Sequence, residues 1–326
     1  MNDSNWRSAA TLDTLRYRAK LMGQVRQFFE QRDVLEVDTP TLARAGVTDL
    51  YLENLTSRLA AGADGQPMTL HLQTSPEFAL KRLIAQHHID VYQLSHVFRD
   101  DEIGRFHNPE FSLLEWYRLG LDTQQLIQEI SELLTETTAA PPVQALSYQQ
   151  AFIHYCEADP LTADGIAAIH QQLLARDDTQ QWMQQESDTD TILQVAFNLL
   201  VEPRLDEKTP IAITNFPASQ AALAQLSEDD PRVAHRFEIY YQGVELANGY
   251  KELTDATAQQ QRFEHDNRRR QEQGKPVKQL DFALIEALKH GLPDCSGVAL
   301  GFDRLLMIAL GAKHIKEVLP FSIESC

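Results

Sequence analysis

Apolar residues recur every three or four positions near the start of the chain. Leu12, Leu15, Ala19, Met22, Val25 and Phe29 fall on one face, which predicts an amphipathic helix. Val34–Pro40 reads as a strand ending in a turn, and Gly62–Pro67 as a turn joining two strands. Leu70–Gln73 is short and strand-like. Ser75-Pro76-Glu77 predicts a helix start, with Ser75 as N-cap and Pro76 at the first helical position. Alternation of period two returns at Val91–Phe98 and Phe111–Tyr117, two strands around a polar loop. Residues 122–208 are Gln-rich, weakly patterned and mostly helical, broken at Ala139-Ala140-Pro141-Pro142, and read as a helical insertion. Strands return at 211–216, 236–241 and 244–248, helices at 255–273 and 281–290, and strand 297–302 leads into a final helix. Strands at both ends with helices between them predict an α+β fold. One mixed, mainly antiparallel sheet is built from distant segments within a single domain, 1–326.

Composition adds exclusions. With 43% hydrophobic and 23% charged residues, the chain is neither disordered, collagen-like nor low-complexity. Its net charge of −18 repels nucleic acid in bulk, so binding there would need a local basic patch. Arg268-Arg269-Arg270 with Lys275 and Lys278 form a local basic patch in this acidic chain, either a docking surface for a protein partner or a solvated helix end. Cys156, Cys295 and Cys326 form no CxxC pair and no even framework, which predicts a reduced, cytoplasmic setting. The first ten residues lack an apolar signal core, and no apolar run approaches the roughly 18 residues of a spanning helix. A soluble protein with no membrane partner is expected.

Local chemistry is unusual in three places. In Phe98–Tyr117, strand alternation puts Phe111, Leu113, Glu115 and Tyr117 on one face, with Arg99, Arg105 and His107 nearby as phosphate-neutralising groups. The plain alternative is a charged hairpin. In Arg236–Asp255, a two-residue turn at Gln242-Gly243 predicts a hairpin pairing Tyr241 with Val244, Tyr240 with Glu245 and Glu238 with Ala247. Glu238 and Glu245 then lie diagonally on one face, where a shared Mg²⁺ would relieve their repulsion. A solvated edge carrying repulsive charges is the alternative. In Gly297–Leu305, Val298, Leu300 and Phe302 face one side, and Gly297, Ala299 and Gly301 the other. So little side chain marks close approach by a ligand or by another element of the protein.

Together these segments resemble the class II aminoacyl-tRNA synthetases. VLEVDTP would end motif one at Pro40, FRDD running into FHNPEF would be motif two, and GFDRL motif three. TSPE (74–77), HNPEF (107–111), ELANG (245–249), ELTD (252–255) and HGLPDCSGVALGFDR (290–304) point to the lysyl branch. The departures are specific. With motif one ending at Pro40, no anticodon-binding domain is expected before it. Ala299 stands where the lysyl enzymes have Gly, Asp101 stands where motif two usually has Glu, and FPASQAALAQ (216–225) lacks their Glu. In these respects the chain is similar to the synthetase paralogues that attach (R)-β-lysine to a lysine of elongation factor P.

The resemblance implies a class II-like sheet flanked by helices, a homodimer joined through motif one, ATP and Mg²⁺, and no tRNA. It also implies residue roles. Arg99 would bind the α-phosphate, and Arg304 the γ-phosphate and one adenine face, with Phe111 on the other. Asp101 would sit near the adenine amino group, and Asn108 near the nucleotide. Asp100, His107, Glu245, Leu246 and Gly301 complete the ATP contacts, and Glu238 and Glu245 would hold the metal. Ser75, Pro76, Glu77, Glu115, Tyr117, Asn248, Glu252 and Ala299 would form the lysine site, where acidic groups suit a dication. Rival readings are a free-standing core making another lysyl amide and a non-catalytic relative. The second predicts damage to Arg99, Arg304, Glu238 or Glu245, all of which are present.

Overall fold

Helix α1 spans Leu12–Glu30 and is capped by Thr11, whose hydroxyl accepts the Thr14 N–H at 3.1 Å. Its apolar stripe is buried only in the second half, at Leu21, Val25, Phe28 and Phe29; Leu12 stays 63% exposed. The computed structural model describes residues 6–62, 65–100 and 103–326. The other elements follow in order: β1 (Leu35–Glu36), β2 (Leu42–Ala43), β3 (Thr56–Leu59), β4 (Met68–Leu72), α2 (Glu77–His87), β5 (Val91–Phe98) and β6 (Glu110–Leu119). Then come α3 (Thr123–Thr138), β7 (Gln144–Ser147), α4 (Tyr148–Cys156), α5 (Ala163–Leu174), α6 (Gln180–Met183), α7 (Thr189–Ala196), β8 (Ile211–Pro217), β9 (Val233–Tyr241) and β10 (Val244–Lys251). The chain closes with α8 (Ala256–Glu272), α9 (Phe282–Gly291), β11 (Cys295–Gly301) and α10 (Phe302–Leu310).

The fold is α+β, with mixed, mostly antiparallel sheet flanked by helices, and the chain divides into two compact units. The first comprises residues 1–121 and 253–326. Its main strands run in the order β1-β5-β6-β11, parallel at β1-β5 and antiparallel elsewhere, beside a small sheet β2-β4-β3. Phe29 of α1 stacks on Tyr92 at 4.3 Å between ring centres and meets Trp116 edge-on at 5.3 Å. These rings anchor β5 and β6 under the helix and explain why burial favours its second half.

The second unit, residues 122–252, carries strands in the order β10-β9-β8-β7. Its core gathers Tyr148, Phe152, Phe197, Phe216 and Tyr240 between the strands and α4, α5 and α7. The stretch 122–208 is mostly helical, as its composition predicts, but includes strand β7, paired in parallel with β8, and a π-helical turn at Phe197–Val201. Gln144-Ala145-Leu146-Ser147 does not alternate apolar with polar residues, so period two gives no signal there.

Two local expectations change. Pro76, not Ser75, is the N-cap of α2, and the Ser75 hydroxyl instead accepts the Glu77 N–H at 3.0 Å. The basic run is only partly open: Arg268 is exposed and Arg269 half-buried, but its other members turn to protein partners. Arg270 is fully buried: Nε donates to the Pro276 carbonyl and Nη1 to the Asp49 carbonyl, both at 2.8 Å, and Nη2 pairs with Glu53. Lys278 Nζ meets the second Glu53 oxygen at 2.7 Å, and Lys275 Nζ donates to the Leu50 carbonyl at 2.6 Å. Burial of Glu53 opposes its charge, but Lys278 and Arg270 outweigh that and hold its carboxyl below the usual range. The Glu53 carbonyl in turn accepts the Asp100 N–H at 2.9 Å, so this cluster braces the end of β5. Among the described residues, no helix is long and apolar enough to cross a membrane.

Candidate active site

In the first unit, one sheet face carries the candidate groups. The ladder aligns Gln93 of β5, Glu115 of β6 and Ala299 of β11 in one row, with Tyr117 opposite Gly297 and Leu113 opposite Gly301 in the flanking rows. Glu115 is 2% exposed. It accepts from the Ser75 hydroxyl at 2.6 Å and the Tyr117 phenol at 2.8 Å, so alternation along β6 does bring Glu115 and Tyr117 together. Ala299 is half-buried beside this carboxylate. Pro76 is buried at the head of α2, and Glu77 Oε1 meets the buried ammonium of Lys81 one turn later at 2.5 Å. Lys81 did not stand out in the sequence. Its spacing of four from Glu77 is the signal for a helical ion pair, although burial of that pair is not visible from spacing.

The nucleotide candidates of this unit lie around the β5–β6 connection. Arg99 places its guanidinium 5.1 Å from the centre of the Phe111 ring and directs Nε to the Thr74 carbonyl at 3.4 Å. Asp100 is exposed beside it. Asp101 lies outside the described residues. Arg304, in the first turn of α10, brings Nη2 to His107 Nε2 at 2.7 Å and Nε to the Phe106 carbonyl at 3.3 Å. A guanidinium only donates, so in this contact His107 Nε2 is the acceptor. A Cβ on Gly301 would sit 3.3 Å from Arg304 Cδ, so glycine there leaves the arginine room to lie along the strand end. Asn108 is buried and its amide binds protein: Nδ2 donates to the Glu110 carbonyl at 2.6 Å, and Oδ1 accepts the Ile323 N–H at 3.0 Å. Asp303 accepts from Arg18 at 2.5 Å and from the Ser112 N–H at 2.7 Å, which ties the start of α10 to β6.

In the second unit the β9–β10 hairpin carries the other candidates. Its register begins as expected, Val244 opposite Tyr241 and Glu245 opposite Tyr240, and then shifts by one. Glu238 pairs with Asn248 rather than Ala247, because a β-bulge at Leu246 places an extra residue in β10. Leu246 and Ala247 are both buried, and Glu245 and Asn248 lie on the same face as Glu238. Glu238 is 7% exposed. Its oxygens take Arg236 Nη2 and the Tyr240 hydroxyl, each at 2.5 Å, with Asn248 Nδ2 at 3.4 Å. Burial, then the Glu238 and Glu245 carboxylates, push the Tyr240 phenol well above its ordinary value. Arg236 was not singled out by the sequence, although its i,i+2 spacing on a strand places it on the Glu238 face. Glu252 is 1% exposed, just past the end of β10, where Gln225 donates to its carbonyl at 2.8 Å through Nε2 and to that of Lys251 at 2.8 Å through its backbone N–H.

A family model described as tRNA synthetases class II (D, K and N) matches residues 4–325, and so takes in both groups of candidates.

Proposed function

We propose, for a chain that belongs to the class II tRNA synthetase family (D, K and N), that its ATP-dependent ligase chemistry activates (R)-β-lysine and transfers it to a lysine of elongation factor P. Glu115 is the observation that carries the acyl substrate: a buried carboxylate, oriented by two hydroxyls, lies beside the Ala299 methyl in one row of the sheet. A carboxylate so oriented suits an ammonium group, and charge-assisted bonds are about twice as strong as neutral ones. An acceptor other than tRNA is favoured by the net charge of −18 and by the inward-turned Arg270, Lys275 and Lys278.

In the first step a carboxylate oxygen of the amino acid attacks the α-phosphorus, and pyrophosphate leaves. In the second, the acceptor ε-amine attacks the acyl carbon, an amide forms and AMP leaves. Two anions meet in the first step, so fixed positive charge is the main requirement. Arg99 would meet the α-phosphate, Phe111 and Arg304 the adenine, and Arg304 with His107 the outer phosphates. Glu77, Glu115, Tyr117 and Glu252 would receive the ammonium groups. The family uses Mg²⁺ with ATP. The second unit fits it chemically: Glu238 and Glu245 share a face, and Asn248 Oδ1 is a buried oxygen there without a hydrogen-bond partner. Mg²⁺ bound with ATP takes one or two carboxylates plus phosphates, so the two glutamates suffice, and the ion would supply charge neutralisation. A homodimer is part of this reading, and the exposed Leu12, Leu35 and Leu42 of the first unit are apolar surface that a second copy would cover.

The direct test is intact-mass analysis of elongation factor P after incubation with the protein, ATP and each lysine isomer in turn. A mass increase of one β-lysyl group, largest with the (R)-β isomer, is expected; no adduct with any isomer would overturn the assignment. Ala299→Gly should raise kcat/KM for α-lysine by roughly 10–200-fold, the range for one methyl in a pocket, and affect β-lysine less. Equal shifts for the two isomers would reduce Ala299 to a strand-stiffening residue. Glu252→Gln keeps shape and loses charge, so it should raise KM for the amino acid more than KM for ATP. Parallel losses in both would mark it as a metal ligand instead.

A further inference from the structure

Arg236 precedes Glu238 by two residues on the same face of β9 and is held on three sides. Nη2 meets Glu238 Oε1 at 2.5 Å, Nη1 donates to the Gln220 carbonyl at 2.7 Å, and the guanidinium carbon lies 4.6 Å from the centre of the Phe216 ring. The two side chains are 17% and 9% exposed. Phe216 is itself buried in the core of the second unit. A guanidinium fixed by a ring, a carbonyl and a carboxylate is part of the framework, unlike a mobile counter-ion that an incoming cation could displace. Tyr240 holds the other Glu238 oxygen, so the carboxylate has one orientation before anything binds. A bare divalent ion approaching Glu238 therefore meets a charge already compensated and a fixed positive group behind it. Mg²⁺ also gives up its water reluctantly, and needs strong anionic ligands to do so. Triphosphate supplies them.

We propose that Arg236 is a positioning residue that makes metal binding at Glu238 conditional on nucleotide: it fixes the carboxylate and cancels its charge, so that Mg²⁺ is taken up as its ATP complex and not beforehand. This rests on the reading that Glu238 and Glu245 are the metal ligands.

Mn²⁺, followed by loss of the free-ion electron paramagnetic resonance signal, is a direct probe that needs no turnover. In the wild-type protein the signal should be undiminished without nucleotide, and on adding a non-hydrolysable ATP analogue it should fall further than with the same analogue and no protein. Arg236→Gln should bind Mn²⁺ without nucleotide, roughly tenfold or more tightly than wild type. Arg236→Lys, which keeps the charge, should stay near wild type, and adding Glu238→Gln to Arg236→Gln should abolish the gain. Circular dichroism establishes that each variant is folded. Wild-type protein that binds Mn²⁺ equally with and without the analogue overturns the proposal, whatever the variants do. So does a folded Arg236→Gln that gains no nucleotide-free binding. Failure of the underlying reading looks different: Glu238→Gln would then leave unchanged the part of the nucleotide-dependent loss that exceeds the protein-free control.

Discussion

Arg304→Ala should lower amino-acid-dependent pyrophosphate exchange by several hundred-fold while leaving the fold intact. The residue opens α10 directly after Gly301 and is half-buried, reaching the β5–β6 connection through His107 and the Phe106 carbonyl. A ring nitrogen and a carbonyl are among its partners there, and neither sustains core packing, so thermal stability should change little. Removing one preorganised charge contact from a transition state costs about 3–4 kcal/mol, which sets the size of the loss. Arg304→Lys should recover only part of it, because an ammonium cannot lie flat on a base while contacting phosphate. Exchange within tenfold of wild type would remove Arg304 from the nucleotide site.

Arg270→Met should have the opposite signature, a large loss of stability. The guanidinium is wholly buried, with one arm on Glu53 and two donors on the backbone carbonyls of Asp49 and Pro276. Removing one partner of a buried ion pair typically costs about 3–5 kcal/mol. We expect the low end, because Lys278 remains on the second Glu53 oxygen. The sign of the pH dependence follows from Glu53. Its carboxyl is held below the usual carboxylate range in the folded protein, so its stabilising contribution is present above the unfolded-state value and fades as pH falls through the folded one. Wild-type stability should thus fall in acid, and the variant should show a shallower fall. Chemical denaturation at neutral pH and at about pH 4 measures both effects. A variant as stable as wild type would mean that the Glu53 cluster does not brace the loop that leads to Asp100.

These two arginines also show how far the sequence could be read. Arg304 was legible because its surroundings are local: a strand with glycine on one face, a short polar turn and a helix start. Alternation likewise brought Glu115 and Tyr117 together and buried Val298, Leu300 and Phe302. Arg270 was not legible. A basic run on a polar helix looks solvated, and its partner Glu53 lies 217 residues earlier in the chain. Lys81 and Arg236 escaped for a related reason: spacing shows which carboxylate each can reach, but not that the pair is buried. The hairpin register failed at one identifiable point. Glu245 and Asn248 are polar residues three apart in a strand, with two apolar residues between them, a spacing that period two does not allow without a bulge.

That bulge makes the β9–β10 hairpin a reading frame. With Leu246 as the supernumerary residue, Glu245, Asn248 and Tyr250 stand opposite Tyr240, Glu238 and Arg236. Without it, an unshifted ladder would turn Ala247 and Gly249 toward that face and hide Asn248. A chain lacking Leu246 would keep all three residues in frame on a straighter strand, since the ladder would then count them without a skipped position. A chain gaining a residue at the same point would have to bulge further or rotate Asn248 away. Length changes at this position should therefore act differently on register: deletion keeps Asn248 in frame at the cost of the buried Leu246 side chain, and insertion does not.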